Sequence, residues 1–125
     1  MAKIINTKNA PAPIGPYNQS VKTGNLLFVS GQIPLIPETM ELINESVEAE
    51  THQVMKNLKA ILNEAGLDFS NIVKASIFCK DLNHFTRINE VYGSYFSDNH
   101  PARECVEVAR LPKDVNVEIS VIAEF

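Results

Sequence analysis

An α+β fold, one mixed β-sheet with two helices packed on one face, is predicted by three observations on this 125-residue chain. Apolar residues recur at three- and four-residue spacing from Val47 to Ala65, the stripe of an amphipathic helix. From Ile72 to Lys80 the chain alternates, with Val73, Ala75, Ile77 and Cys79 on one side and Lys74, Ser76 and Lys80 on the other. Such a strand lays one face on a core. The flanking segments repeat these two patterns in the order β-β-α-β-α-β-β, which two packed layers satisfy.

The elements follow from local chemistry. Lys3–Asn6 is a candidate N-terminal strand, and Pro11, Pro13, Gly15 and Pro16 mark an irregular segment after it. Tyr17 to Val21 alternates and runs into Lys22-Thr23-Gly24-Asn25, a turn signal. Leu26 to Ser30 is a short apolar run, so the two read as a hairpin. Gly31 and Pro34 break it, and Ile33 to Ile43 is a loop. Ser46 or Asn44 caps the helix that starts at Val47, and Gly66 stands where a left-handed residue would end it.

A second helix is predicted from Asn83 to Phe96, capped by Asp81 or Asn83, with Phe85, Ile88, Val91, Tyr92 and Tyr95 inward. Ser97 to Pro101 is a loop. Strands at Glu104–Leu111 and Val115–Glu124 read as a pair joined by a turn. Two helices cover one sheet face, and so short a chain has no further layer for the other. A homo-oligomer that buries that face is expected.

Composition narrows the function classes. Residues 1–125 make one domain of ordinary size. An apolar fraction of 45% and a charged fraction of 21% are ordinary for a globular protein and exclude disorder. Eleven Lys+Arg against 15 Asp+Glu give a net charge of −4, which argues against nucleic-acid binding by bulk electrostatics. The N-terminus has no apolar signal region, and no apolar run approaches the ~20 residues of a membrane span. Cys79 and Cys105 lack C-x-x-C spacing. Reduced thiols and a cytoplasmic location are the expectation, with no membrane partner.

The candidate site centres on Pro101-Ala102-Arg103-Glu104-Cys105 and on Val117-Glu118-Ile119. An arginine forks two hydrogen bonds onto a carboxylate. A glutamate nearby can hold a water or move a proton. Together they suggest a site for a small organic acid. Each residue also has a plainer reading: a surface ion pair for Arg103, with Glu107 on the same strand face as a competing partner, and a solvated strand position for Glu118. Ser30-Gly31-Gln32 either lets a ligand approach the backbone or simply ends a strand. Tyr17 presents a phenol or fills a core. Cys105 has no histidine nearby in sequence and reads as a half-buried strand thiol. His52, His84 and His100 show no metal-ligand spacing, and no phosphate-loop, dinucleotide or nucleophile-elbow motif occurs.

Five blocks, Gly15-Pro16-Tyr17-Asn18-Gln19, Val29-Ser30-Gly31-Gln32-Ile33-Pro34, Val73 to Phe78, Lys80-Asp81-Leu82 and Pro101 to Pro112 with Val117-Glu118-Ile119, stand in the order and spacing of the RidA family, also called YjgF. The chain resembles that family over its whole length. The resemblance implies a chorismate mutase-like α+β fold and a homotrimer with clefts between subunits. It implies hydrolysis of 2-imino acids, 2-iminobutanoate and 2-iminopropanoate, to 2-keto acids and ammonia, the imines arising from enamines released by pyridoxal-phosphate dehydratases. No metal or organic cofactor is implied. By the same resemblance Arg103 clamps the substrate carboxylate and Glu118 orients or activates water. Tyr17, Ser30, Gly31, Asn89 and Cys105 line the cleft, Cys105 mainly through its backbone. Glu104 departs from the pattern, since a small residue usually follows the motif arginine, and Ser120 stands where glutamate is common. Alternation turns Glu104 away from Arg103. Two other functions stay open: a keto-acid-binding regulatory trimer without turnover, and a translation-inhibiting ribonuclease, which the acidic balance opposes.

Overall fold

The computed structural model describes residues 2–125. Six strands form one sheet: β1 (Lys3–Ile5), β2 (Ser20–Thr23), β3 (Leu26–Gln32), β4 (Ile72–Cys79), β5 (Ala102–Glu107) and β6 (Val117–Glu124). Their spatial order is β1-β2-β3-β6-β4-β5, antiparallel throughout except for the parallel pair β4–β5. Helices α1 (Val47–Glu64) and α2 (Phe85–Gly93) lie on one face. The α+β mixed sheet with two helices is thus present.

The local signals act as their chemistry demands. Gly24 takes φ +58° and closes the β2–β3 hairpin. The Ser46 side chain accepts the Ala49 N–H at 3.0 Å and starts α1, and Gly66 at φ +79° ends it. The α1 stripe of Val54, Met55, Leu58, Ile61 and Leu62 is fully buried against Leu27, Ala75, Ile77 and Ile119 of the sheet.

Several features differ from the sequence reading, among them the start of β2 at Ser20 rather than Tyr17, of β5 at Ala102 rather than Glu104 and of β6 at Val117 rather than Val115. The strands around Arg103 and Glu118 are not a hairpin, because β4 lies between them. The chain leaves β5 at Glu107, and Val108 makes one last bond to the Cys79 carbonyl at 2.9 Å. It then turns at Pro112, with Lys113 and Asp114 at φ 54° and 58°. Leu111 and Val115 sink into a small second core with Ile33 and Leu35. Crossing from β4 through α2 to β5 makes the pair parallel, as β-α-β connections do. Helix α2 is shorter than predicted, preceded by a 3-10 turn at Leu82–His84 that Asp81 caps. Val73 sits at a bulge and is exposed rather than facing the core with Ala75. Gly31 does not break β3 but forms a bulge within it.

Three buried polar side chains hold the loops. Asn57 of α1 donates to the Ile33 and Leu35 carbonyls at 3.2 and 2.9 Å. Gln19 bonds Thr7 and the Pro11 carbonyl, pinning the proline-rich segment. Glu50 accepts the Asn116 backbone N–H at 2.9 Å and its side-chain amide at 2.5 Å, fixing the entry to β6. The sheet face away from the helices carries Phe28 and Val106, 44% and 41% exposed, among Lys74, Ser76, Ser120 and Ile122. Among the described residues no helix is long and apolar enough to cross a membrane.

Candidate active site

Two clusters contain the residues singled out from the sequence. The first lies on the helix face at the β5 edge. Arg103 is the second residue of β5 and sits in register with Ala75 of β4. Its Nη1 donates to Asn89 Oδ1 at 2.5 Å. Its guanidinium carbon lies 5.2 Å from the Tyr92 ring centroid and 5.7 Å from that of Phe85, within cation–π range. Phe85, Asn89 and Tyr92 are spaced four and three apart on α2, so one helix face brackets the arginine.

Among the described residues no carboxylate forms an ion pair with Arg103. Glu107, the competing partner, instead accepts the Leu82 backbone N–H at 3.0 Å. One of the five guanidinium N–H donors is engaged by Asn89, leaving the rest for a ligand. Cys105 follows Arg103 on the same face and packs partly against the main core. The neighbouring Cys79 thiol is buried, which pushes its pKa up to about 11, so it is no ready nucleophile.

The second cluster lies across the sheet. Between Val29 and Gln32 strand β3 advances three residues while β6 advances two, from Val121 to Ile119, so Ser30 and Gly31 bulge. The bulge brings the β3 backbone against Glu118. A Cβ on Gly31 would stand 2.3 Å from Glu118 Oε2 and 2.9 Å from its carboxyl carbon. With any larger residue there the carboxylate, the far end of a flexible side chain, would have to shift. Burial raises the Glu118 pKa above the usual carboxylate value. Ser30 Oγ donates to the Asn18 carbonyl at 2.6 Å, tying the bulge to the loop of Tyr17, a residue that is 47% exposed.

One chain does not bring the two clusters together. Glu118 is level with Phe78 on β4, and Arg103 with Ala75. Three residues along and two strands across amount to about 10 Å each way, ~14 Å between the backbones, with the side chains on opposite faces. Glu104 turns away from Arg103 as alternation predicts. It bonds the Ser76 hydroxyl and pairs with Lys74 Nζ at 3.0 Å, and those two partners lower its pKa.

Sequence reading placed Phe85 and Tyr92 among the inward residues of the helix but missed their role around Arg103. Their spacing from Asn89 was the available signal. Of the histidines, His52 bonds the Tyr95 hydroxyl at 2.8 Å. Among the described residues no group of three His, Cys, Asp or Glu side chains is placed to hold a metal.

This sheet order with its two helices is that of the RidA/YjgF class of α+β proteins. The family model described as endoribonuclease L-PSP matches residues 7–125, and the chain belongs to that family. It is 51% identical over 126 residues to the Escherichia coli protein named 2-iminobutanoate/2-iminopropanoate deaminase, covering 98% of each. It is 50% identical over 123 residues to a Pyrococcus horikoshii RutC family protein, again covering 98% of each. The crystal structure of the Escherichia coli YjgF gene product superposes with TM-score 0.93 at 50% identity, 98% of each chain covered. That of Escherichia coli TdcF with bound serine gives 0.94 at 47%, also 98% of each.

Proposed function

We propose that this protein hydrolyses small 2-imino acids, such as 2-iminobutanoate and 2-iminopropanoate, to 2-keto acids and ammonia. The observation that carries the reading is Arg103, held by α2 with donors free and no internal carboxylate to occupy them. The deaminase name of a relative at 51% identity and the serine bound by TdcF, itself a small amino acid with a carboxylate, support it.

In this reading Arg103 binds the substrate carboxylate through charge-assisted hydrogen bonds. Glu118 takes a proton from water as the oxygen adds to the C=N carbon. The carbon–oxygen bond forms, the C=N π pair moves to nitrogen, and that nitrogen takes up the proton Glu118 accepted; the remaining hydroxyl proton then passes to the amine, which leaves as ammonia while the carbonyl closes. A carboxylate with a raised pKa is a stronger base than an ordinary one, which suits it to this transfer. Holding acid and water together adds the gain of proximity.

The two clusters must then belong to different copies, the Arg103 edge of one chain beside the Glu118–Gly31 face of another. A homotrimer with the exposed sheet face inside would achieve this and cover Phe28 and Val106. Two measurements test the reading. Light scattering should give three times the 13.9 kDa of one chain. In an assay coupled to threonine dehydratase, added protein should speed 2-ketobutyrate formation. An unchanged rate would remove the proposed reaction, and calorimetric binding of 2-ketobutyrate without turnover would favour a regulatory trimer instead.

The family model's description favours a second reading, endoribonuclease. The net charge of −4 opposes it, because RNA binding draws on Lys and Arg contacts to phosphate. RNA cleavage by nuclease-free protein, lost in Arg103→Ala, would establish it.

A further inference from the structure

Two residues break the apolar stripe that α1 lays on the sheet. Glu50 and Asn57 are 2% and 1% exposed and stand two turns apart, sharing the buried face with Val54 and Ile61. A buried polar side chain costs stability unless its hydrogen bonds are made, and an apolar residue at either place would bury without that cost.

Both spend their polar atoms on the two chain ends that frame Glu118. Glu50 accepts the Asn116 backbone N–H at 2.9 Å and its side-chain amide at 2.5 Å, just ahead of Val117 and Glu118 at the start of β6. Asn57 donates to the Ile33 and Leu35 carbonyls, just past Gly31 and Gln32 at the end of β3. Gln32, itself buried, closes the bulge from within by donating to the Ser30 carbonyl at 3.2 Å.

These are the ends where the sheet holds least. The β3–β6 ladder runs from Leu26 to Val29, shifts at the bulge, and has only the pair Gln32–Ile119 beyond it. On its other side Glu118 is fixed by the regular register of β6 with β4, opposite Phe78. On the β3 side its neighbour is the bulged Gly31, and the gap between them depends on the segments that flank it. Helix α1 ties down both.

We infer that Glu50 and Asn57 are positioning residues: from the buried face of α1 they hold the entry of β6 and the exit of β3, and so set the distance between Gly31 and the Glu118 carboxylate. This rests on the proposed role of Glu118 and adds to it the device that keeps that carboxylate in place. It explains why polar side chains stand in the apolar stripe of α1. It also lets the helix layer act on a site across the sheet, through the strand ends.

The test is Glu50→Ala and Asn57→Ala in the full chain. In the coupled assay kcat should fall about tenfold with KM within about twofold, less than the ~10²-fold of a full ångström misplacement. The nuclear Overhauser effect between the Gly31 α protons and the Glu118 γ protons should weaken. In the wild type it should be strong, because a Cβ on Gly31 would stand 3.1 Å from Glu118 Cγ. Added to Glu118→Gln, neither change should lower kcat further, since both act through that side chain. Glu50→Gln should restore kcat to within about threefold of wild type, because the Asn116 amide can turn its oxygen towards the new N–H pair. Where Glu50→Ala fails to fold, Asn116→Ala keeps the backbone bond, loses only the side-chain one, and should weaken the same proton contact. Leu62→Ala, which thins the packing of the same helix, is the control: its melting temperature should drop while kcat and the proton contact stay within about twofold of wild type. A lowered melting temperature with kcat and the proton contact unchanged makes Glu50 and Asn57 plain loop pins and overturns the inference. So do losses that add to that of Glu118→Gln. A weakened proton contact in a protein without imine hydrolysis upholds the inference and removes the reaction.

Discussion

On the helix side of the sheet Arg103 is held by what surrounds it: an amide at 2.5 Å and two aromatic rings, all from α2. On the other side Glu118 is held by what is missing, the Cβ of Gly31, which would stand 2.3 Å from its oxygen. The first arrangement leaves a charge with donors pointing outward. The second buries a carboxylate against backbone and raises its pKa. An acid clamp needs the first environment, because a cation keeps its charge readily and needs only orientation. The base proposed here suits the second, because partial burial raises a carboxylate's pKa and so strengthens it as a base.

Substitutions can break this division of labour, and the largest effect is expected on the Glu118 side. Glu118→Gln should lower kcat by roughly 10²–10⁴ with little change in KM, the usual contribution of a general base. Its acid limb should vanish too. In the wild type kcat/KM should rise with pH through a value above the ordinary carboxylate range, where Glu118 ionises. The same shift has a stability signature of opposite direction. The folded state binds the proton more tightly than the unfolded one, so stability present at low pH is lost as pH rises from the unfolded carboxylate value through the raised one. Glu118→Gln should flatten that part of the melting-temperature profile. A wild-type profile already flat there would remove the role given to burial.

Next in size is Arg103→Ala. It should raise KM by about 10- to 100-fold, the range for losing hydrogen bonds to a charged group, with kcat affected less. A pure kcat loss would place Arg103 in the reaction step instead of at the carboxylate.

Gly31→Ala sharpens the comparison. The new methyl must displace the flexible end of Glu118, so kcat should fall about tenfold, less than the ~10²-fold of a full ångström misplacement, with little change in melting temperature. Combined with Glu118→Gln it should cost almost nothing more, since both changes act on one carboxylate. Additive losses would mean that Gly31 serves the ligand directly.

The smallest effect belongs to Glu104→Ala. Glu104 lies beside Arg103 in sequence but pairs with Lys74 and Ser76 on the opposite face. Affinity for 2-ketobutyrate should stay within about twofold, as for most exposed ion pairs. A tenfold change would show that charge crosses the sheet to the Arg103 side.

Much of this architecture is legible in local sequence. The α1 stripe, its Ser46 cap and the Gly66 stop need only neighbours within a turn or two, and all three stand as read. Alternation alone turns Glu104 away from Arg103. The insertion of β4 between β5 and β6 is not local. It follows from where Leu111 and Val115 find apolar company, beside Ile33 and Leu35 nearly eighty residues earlier in the chain. Buried Glu50 and Asn57 interrupt the apolar stripe of α1, and their partners at Asn116, Ile33 and Leu35 exist only after folding. Likewise the bulge at Ser30–Gly31 shows in sequence as a glycine, but its purpose depends on which strand becomes the neighbour.

The residues proposed for the chemistry, Arg103 and Glu118, are read from the sequence, as is the side of its own strand to which each points, because a strand's period of two is a property of the backbone. Only the tertiary structure decided that they stand on opposite faces, two strands apart. It also placed Phe85, Asn89 and Tyr92 around the arginine. Strand order and helix docking are settled by burial of apolar surface between distant segments, and that quantity has no value until the whole chain has closed on itself.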